Sequence, residues 1–558
     1  VASVQTLIQG WRPYVLLTLL CAMIYAPGIA HVPPLDRDES RFVQASRQMM
    51  TTDDYVTIWF QDEPRHKKPV GIHWLQSASV SAFSHPDSTE IWPYRLVSVI
   101  GATAAVLLTF YFGAAFFDRR VAFLGAGLLA ATLMLAAEAH QAKTDAVLLA
   151  CVVAAQGAFG RFYLQGKGAA KAAPPSWNAI LFWFAIGAGI MIKGPVVPVI
   201  ALLTMLTVGI ADRSIGWLHG LRPVMGIPLV LAVVLPWYLA VNDATDGGFI
   251  ADAVGKDLLP KLLGGQESHG APPGYYLILA LVTFWPGSLF LWPSLWRGWK
   301  ERNATPALRY LLAWIIPAWV MLELVPTKLP HYTLPLYPAL ALLVASTLFA
   351  VRDRTYDMLG SAPARVWYGV WALVGLALAA ASIVLPMQYG GGFQWWSVPL
   401  ALVALTAAVW PVLLAFRRHF LNAVAAAAAM AGLVYIGVFT MLLPSLDALA
   451  VSPRLVAAYD RVAPGRPFPL VSAGYTEPSL VFLAGTETKL GTGAAAATFL
   501  AENLGAVAAV ERRQEQEFLE AVAATPGVKV EPLDTMTGFN YSRGREVSIT
   551  FYRSRGAD

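Results

Sequence analysis

Residues 93–116 read PYRLVSVIGATAAVLLTFYFGAAF, a run with a single charge, Arg95. A bilayer core of about 30 Å takes about 20 apolar residues in helical form. The run is too long and too uniformly apolar for a strand, and it predicts a membrane-spanning helix. Comparable runs lie near 12–30, 121–137, 144–163, 177–193, 195–211, 223–241, 274–296, 308–326, 333–350, 366–387, 397–416 and 421–443. About 13 spans are therefore expected.

Composition agrees. Of 558 residues, 57% are hydrophobic and 13% charged, with a mean hydropathy of +0.55. An ordinary soluble domain carries roughly 25% charged residues. A large soluble α/β enzyme is excluded, because its buried strands are shorter than these runs. The two cysteines, Cys21 and Cys151, lie inside apolar runs and offer no disulfide framework. The first run, 15–29, follows Arg12 and lacks a small-residue cleavage site, so it reads as a retained span.

Basic residues gather in every second loop: Arg119 and Arg120, Arg161 and Lys167, Arg213 and Arg222, Arg297 and Lys300, Arg352 and Arg354, Arg417 and Arg418. The loops between them hold few, notably Lys143, Lys193 and Lys328. By the positive-inside rule the N-terminus is cytoplasmic, and an odd number of spans puts the C-terminal part outside. Two outer loops are long, about 31–91 and 242–273, and long loops tend to carry function. The texture changes after Pro444. Residues 1–444 read as a helical membrane domain, and 445–558 as a small α/β domain on the outer, periplasmic side. Its expected strands lie at 468–471, 506–510, 528–530 and 547–551, with a helix at 511–523. Gly485, Gly491 and Gly493 do not form a dinucleotide fingerprint.

Ionisable residues sit at the outer ends of spans. The first outer loop opens Pro33-Pro34-Leu35-Asp36-Arg37-Asp38-Glu39-Ser40-Arg41-Phe42. Asp38 or Ser40 is expected to cap a helix whose apolar face holds Phe42, Ala45 and Met49. A charged helix start at a membrane surface is the plain alternative. The basic run Arg65-His66-Lys67-Lys68 falls outside, where a cation suits an anionic ligand such as a lipid phosphate. A solvated surface patch is the alternative there. Asp145, Lys193 and the stretch Lys328-Leu329-Pro330-His331-Tyr332 also lie at outer ends, where a carboxylate is costly unless paired or functional. Glu63 and His66 have Glu-x-x-His spacing, and Glu267 and His269 lie in the second long loop. If the loops meet, Glu63, His66 and His269 form a structural zinc site. Two unrelated loop histidines are the other reading.

Five of these segments, Asp38-Glu39-Ser40-Arg41-Phe42, Lys68-Pro69, Thr144-Asp145, Lys193-Gly194 and Lys328-Leu329-Pro330-His331-Tyr332, occur in an order that resembles the GT-C glycosyltransferases. Within them the chain is similar to the protein O-mannosyltransferases and, more closely, to the bacterial family that places 4-amino-4-deoxy-L-arabinose on lipid A. The resemblance runs through the C-terminal Gly474-Tyr475-Thr476-Glu477-Pro478-Ser479. It implies an inner-membrane enzyme facing the periplasm. The donor would be a sugar on undecaprenyl phosphate and the acceptor a lipid A phosphate, with resistance to polymyxin and cationic peptides as the outcome. It carries over Asp38 and Asp145 as important acids, Lys68 as the residue meeting lipid phosphate, and Lys193 and Tyr332 as pocket residues. Lys261 stands loosely where a relative has Arg. Some relatives have Glu where this chain has Lys67, so no carboxylate role transfers there. No cofactor is required for the chemistry, with a structural zinc as the one metal considered, and no nucleic-acid partner is implied. The rivals are a protein O-mannosyltransferase with a Ser/Thr acceptor and a lipid or solute transporter. Against the transporter, the two halves show no repeat, and the ionisable groups avoid the bilayer middle.

Overall fold

The computed structural model describes residues 7–258, 260, 270–350 and 353–556. Among the described residues, seven helices are long and apolar enough to cross a membrane: Trp92–Phe116, Asp145–Gly166, Pro223–Ala244, Pro306–Leu324, Ala362–Tyr389, Ser397–Phe416 and Phe420–Ser445. Helices Arg119–Ala130 and Leu133–Ala139 add a broken span bent by 59°. Arg12–Tyr25, Trp177–Lys193 and Val196–Asp212 are shorter apolar helices. The expected continuous spans at 274–296 and 333–350 are instead interrupted by the 3-10 segments Gly287–Phe290 and Pro330–Leu336. Prolines at 286, 330 and 335 remove backbone donors at these breaks, which hydropathy alone does not register. The chain is thus a mainly helical, multi-pass membrane protein.

Helix Asp145–Gly166 lies at the centre of the bundle, and Pro223–Ala244 at its edge. The latter exposes Val224, Ile227, Leu231, Leu235 and Leu239, apolar side chains suited to lipid. Central helices approach closely through small residues. A Cβ on Gly101 would fall 2.8 Å from the Val147 backbone nitrogen, so glycine sets the spacing of helices Trp92–Phe116 and Asp145–Gly166.

The first long loop contains helix Asp38–Thr52, a two-residue hairpin of β1 (Trp59–Phe60) and β2 (Glu63–Pro64), and helix Gly71–Phe83. The expected apolar face is buried at Phe42, Ala45 and Met49. The expected cap is not formed by Asp38 or Ser40. Arg37 occupies the N-cap without a side-chain cap bond, and Asp38 is the first helical residue. Ser40 donates its hydroxyl to the Leu35 carbonyl, while Glu39 accepts the Leu35 N–H at 2.9 Å.

The C-terminal part begins with helix Val451–Val462 and contains a five-stranded sheet. Its strands are β3 (Val471–Ala473), β4 (Lys489–Gly491), β5 (Val507–Glu511), β6 (Val528–Asn540) and β7 (Arg545–Gly556), in the order β4-β3-β5-β7-β6. β3 runs parallel to β4 and β5, and β6 and β7 form a long antiparallel hairpin. The two hairpin strands are longer than the apolar runs suggested, because their outer halves are polar and gain order from pairing. Helix Arg512–Ala523 is where the charge pattern placed it.

This domain docks on the first long loop. Arg47 donates to the Phe482 carbonyl at 2.8 Å, Gln44 to the Thr486 hydroxyl at 2.8 Å, and Gln61 to the Thr488 carbonyl. Ser479 hydrogen-bonds the Asp36 carboxyl. Burial there pushes Asp36 up to about 7, with Glu477 adding to the rise, although the Ser479 bond opposes it. A carboxyl raised in the folded state binds its proton more tightly folded than unfolded. The docked form is therefore most stable below the ordinary value near 3.8, and loses stability as pH rises through about 7. We expect the Asp36 contribution to lower the wild-type thermal midpoint progressively from about pH 4 to about pH 7 and to level off above that, and the fall over this window to be less steep in Asp36→Asn. Equal slopes in thermal scans of both proteins would refute this.

Candidate active site

Asp38 and Asp145 each begin a helix at the same end of the bundle. Asp38 opens the first-loop helix, and Asp145 opens the central span. What brings them together is a buried ion pair beneath both. Arg95, fully buried, meets the two Glu39 oxygens at 2.8 and 2.9 Å. It also donates to the carbonyls of Ile29, Val32 and Pro33. Glu39 Oε1 in turn accepts the Ala142 N–H at 2.7 Å. One arginine and one glutamate thus tie the end of the first span, the first-loop helix and the strip before Asp145 into one unit.

Around that unit lies a compact charged cluster. Lys193 Nζ lies 2.5 Å from Asp145 Oδ1. Lys143 Nζ lies 3.0 Å from Glu138 Oε1. His331 stands between the two acids, its ring nitrogens 3.9 Å from Glu138 and from Asp145. The Tyr332 ring packs edge-on against His331, and Lys193 Nζ sits 5.6 Å from the Tyr332 centroid. Burial drives His331 down to about 3, despite the pull of Asp145, so the imidazole is neutral at physiological pH. Burial disfavours the charge on Lys143, but Glu138 and Asp145 outweigh it and hold its ammonium well above the usual value. Burial alone would raise the Asp38 carboxyl, and the positive charge of Lys143 and then Arg65 outweighs it, leaving Asp38 below the usual carboxylate range.

Asp145, Lys193 and Tyr332 lie together in this cluster, with Asp38 beside it. Lys68 is half-buried in the turn between β2 and helix Gly71–Phe83. A Cβ on Gly71 would lie 2.6 Å from the Met191 carbonyl oxygen, so glycine lets this helix start abut the span end that carries Lys193. Lys328 has a different place. Its ammonium donates to the carbonyls of Glu323 and Val325, closing the end of helix Pro306–Leu324. Glu138 was missed. It ends an apolar run five residues before Lys143, and an ionisable group at a span end is the signal that could have found it.

Lys261, Glu267 and His269 lie outside the described residues. Of the zinc set, Glu63 is exposed in β2, and His66 Nδ1 bonds Asp252 Oδ2 at 3.0 Å, which already ties the two long loops. Asp252 also meets Lys256 at 2.7 Å. Among the described residues, no group of three His, Cys, Asp or Glu is placed to hold a metal ion.

Residues 39–245 match the family model for dolichyl-phosphate-mannose-protein mannosyltransferase. The crystal structure of ArnT from Cupriavidus metallidurans bound to undecaprenyl phosphate superposes with a TM-score of 0.74 at 19% identity, over 96% of this chain and 97% of that one. The chain therefore has the fold of that structure. It is also similar to the undecaprenyl phosphate-alpha-4-amino-4-deoxy-L-arabinose arabinosyl transferase of Pectobacterium carotovorum, 26% identical over 64% of this chain and 63% of the relative. The enzyme of the same description from Aeromonas hydrophila is 25% identical over 66% of each chain. The matched stretches span just under two thirds of these relatives' lengths.

Proposed function

We propose that this protein moves 4-amino-4-deoxy-L-arabinose from undecaprenyl phosphate to a phosphate of lipid A, in the bacterial inner membrane with its site facing the periplasm. The observation that carries this reading is the charged cluster at the loop-bearing end of the bundle, in which Asp145 and Lys143 are buried, Lys193 and His331 half-buried, and Asp38 exposed at the rim. In the transfer, the bond from the sugar's anomeric carbon to the carrier phosphate breaks, and a bond to a lipid A phosphate oxygen forms. The carrier leaves as undecaprenyl phosphate. Carboxylates near the anomeric carbon stabilise its positive character, and lysines stabilise the departing phosphate.

A phosphate acceptor is already ionised and suits the lysine-bearing cluster of Lys143 and Lys193, whereas a protein hydroxyl would need a general base. Modified lipid A would carry less negative charge and bind cationic peptides less.

Mass spectrometry of lipid A from cells with and without the gene tests the reading. An added pentosamine that depends on the gene is expected, and its absence would defeat the proposal. Cysteines placed after Pro444 should react with an impermeant thiol reagent added from the periplasmic side; labelling only from the cytoplasm would reverse the orientation. Lys68→Ala should weaken binding of undecaprenyl phosphate about 10- to 150-fold, the worth of one charge-assisted contact. Unchanged binding of the purified variant would remove Lys68 from the carrier site.

A further inference from the structure

The short chain that joins the first span to Asp38 is not held by local contacts alone. Arg37 lies at φ 66° and ψ −107°, a left-handed backbone that an L-residue other than glycine adopts rarely and only when its surroundings impose it. Locally, Glu39 and Ser40 close the loop around it through Leu35, but neither touches the Arg37 side chain or the Asp36 N–H. The groups that hold those come from the far end of the sequence. The Tyr541 hydroxyl accepts the Asp36 N–H at 2.6 Å. The Arg37 guanidinium donates to the Ser542 carbonyl. The Ser479 hydroxyl bonds the Asp36 carboxyl. Tyr541 and Ser542 form the tip of the β6–β7 hairpin.

That tip is itself anchored. Asn540 donates to Glu477 Oε1 at 2.9 Å and accepts the Arg543 N–H at 3.1 Å. Glu477 and Ser479 flank the start of helix Pro478–Ala484, and Phe482 of that helix packs edge-on against Tyr94 of the membrane domain. The turn is therefore a fixed template rather than a passing contact.

We propose that the β6–β7 turn and Ser479 of the C-terminal domain are positioning elements of the active site, holding Asp36 and Arg37 in the conformation that aims Asp38. The inference rests on the transferase reading and adds to it a role for the C-terminal domain in turnover. These residues touch neither substrate nor reacting atoms. They act on the residues immediately before the acid, through the Asp36 N–H and the side chains of Asp36 and Arg37. Misplacing a catalytic group by about 1 Å can cost on the order of 100-fold. Losing such supports should lower kcat and spare binding of the carrier lipid, whose phosphate meets a different part of the loop.

The test compares the full-length Tyr541→Phe and Ser479→Ala single variants and their double variant with wild type in detergent. The double variant should lose about 10- to 100-fold in kcat, with undecaprenyl phosphate binding unchanged. Ser479→Thr, which keeps the hydroxyl, should restore most of the activity lost in Ser479→Ala. An unchanged kcat in the double variant would overturn the inference. So would an equal loss of carrier binding and thermal stability, which marks a purely structural contact. Absence of transfer by the wild type would instead remove the transferase reading beneath it, whereas an active wild type with an unaffected double variant removes this inference alone.

Discussion

On the proposed transferase reading, Asp38→Asn is expected to lower sugar transfer by at least about 100-fold while leaving the protein folded and able to bind undecaprenyl phosphate. The substitution keeps the shape of the side chain and removes its charge. Asp38 is the exposed first residue of its helix, and Lys143 and Arg65 hold its carboxylate below the usual range, so it is ionised at neutral pH. A charge placed at the rim of the pocket stabilises developing positive charge on the sugar, and more strongly once bound substrate excludes water from it. An asparagine there offers only a dipole, and it leaves Lys143 with one fewer carboxylate nearby. The fold should tolerate this, since Glu39 and Arg95 hold the helix start independently of Asp38. Activity on lipid A, carrier binding and the elution profile of the purified variant are the measurements. Transfer within a few-fold of wild type would show that Asp38 is not in the reacting pocket.

The long elements were legible in the sequence, and the contacts that aim them were not. Apolar runs such as 93–116 and 397–416 report burial in lipid directly, so their helices could be read from length and hydropathy. The run at 274–296 could not be read as broken. Its composition stays apolar across Pro286, and only the backbone shows the helix ending at Thr283 and restarting at Leu291. Asp38, Asp145 and Lys193 were legible as charged residues at span ends, because isolated charges there demand a reason. Their pairing was not, since Lys193 lies 48 positions from Asp145. Lys328 and Lys193 look alike in sequence, each at the outer end of an apolar run. One closes a helix through backbone carbonyls and the other pairs with an acid. Glu39 reads as one member of a charged run, yet it has the most demanding role, because its partner Arg95 sits inside what reads as a membrane span.

That pair supports the second large effect. Arg95→Met should leave the protein poorly folded, with a loss of about 3–5 kcal/mol, because it strands the Glu39 carboxylate in a buried site. Glu39 would keep only the N–H groups of Leu35 and Ala142, and three carbonyls, those of Ile29, Val32 and Pro33, would lose their donor. Glu39→Gln should cost less, since the amide oxygen still accepts two of the four donors and Arg95 keeps its three carbonyls, although the amide nitrogen then faces the other two donors. The double variant Glu39→Gln, Arg95→Met should recover part of the loss, because it no longer buries an unpaired charge. Full recovery is not expected, as the carbonyls at the end of the first span still lack a partner. The thermal midpoint of each variant in detergent, followed by the fraction remaining monodisperse, measures these differences. If Arg95→Met matched wild type, or if the double variant were worse than the sum of the singles, the charge pair would not be what joins the first-loop helix to the strip before Asp145.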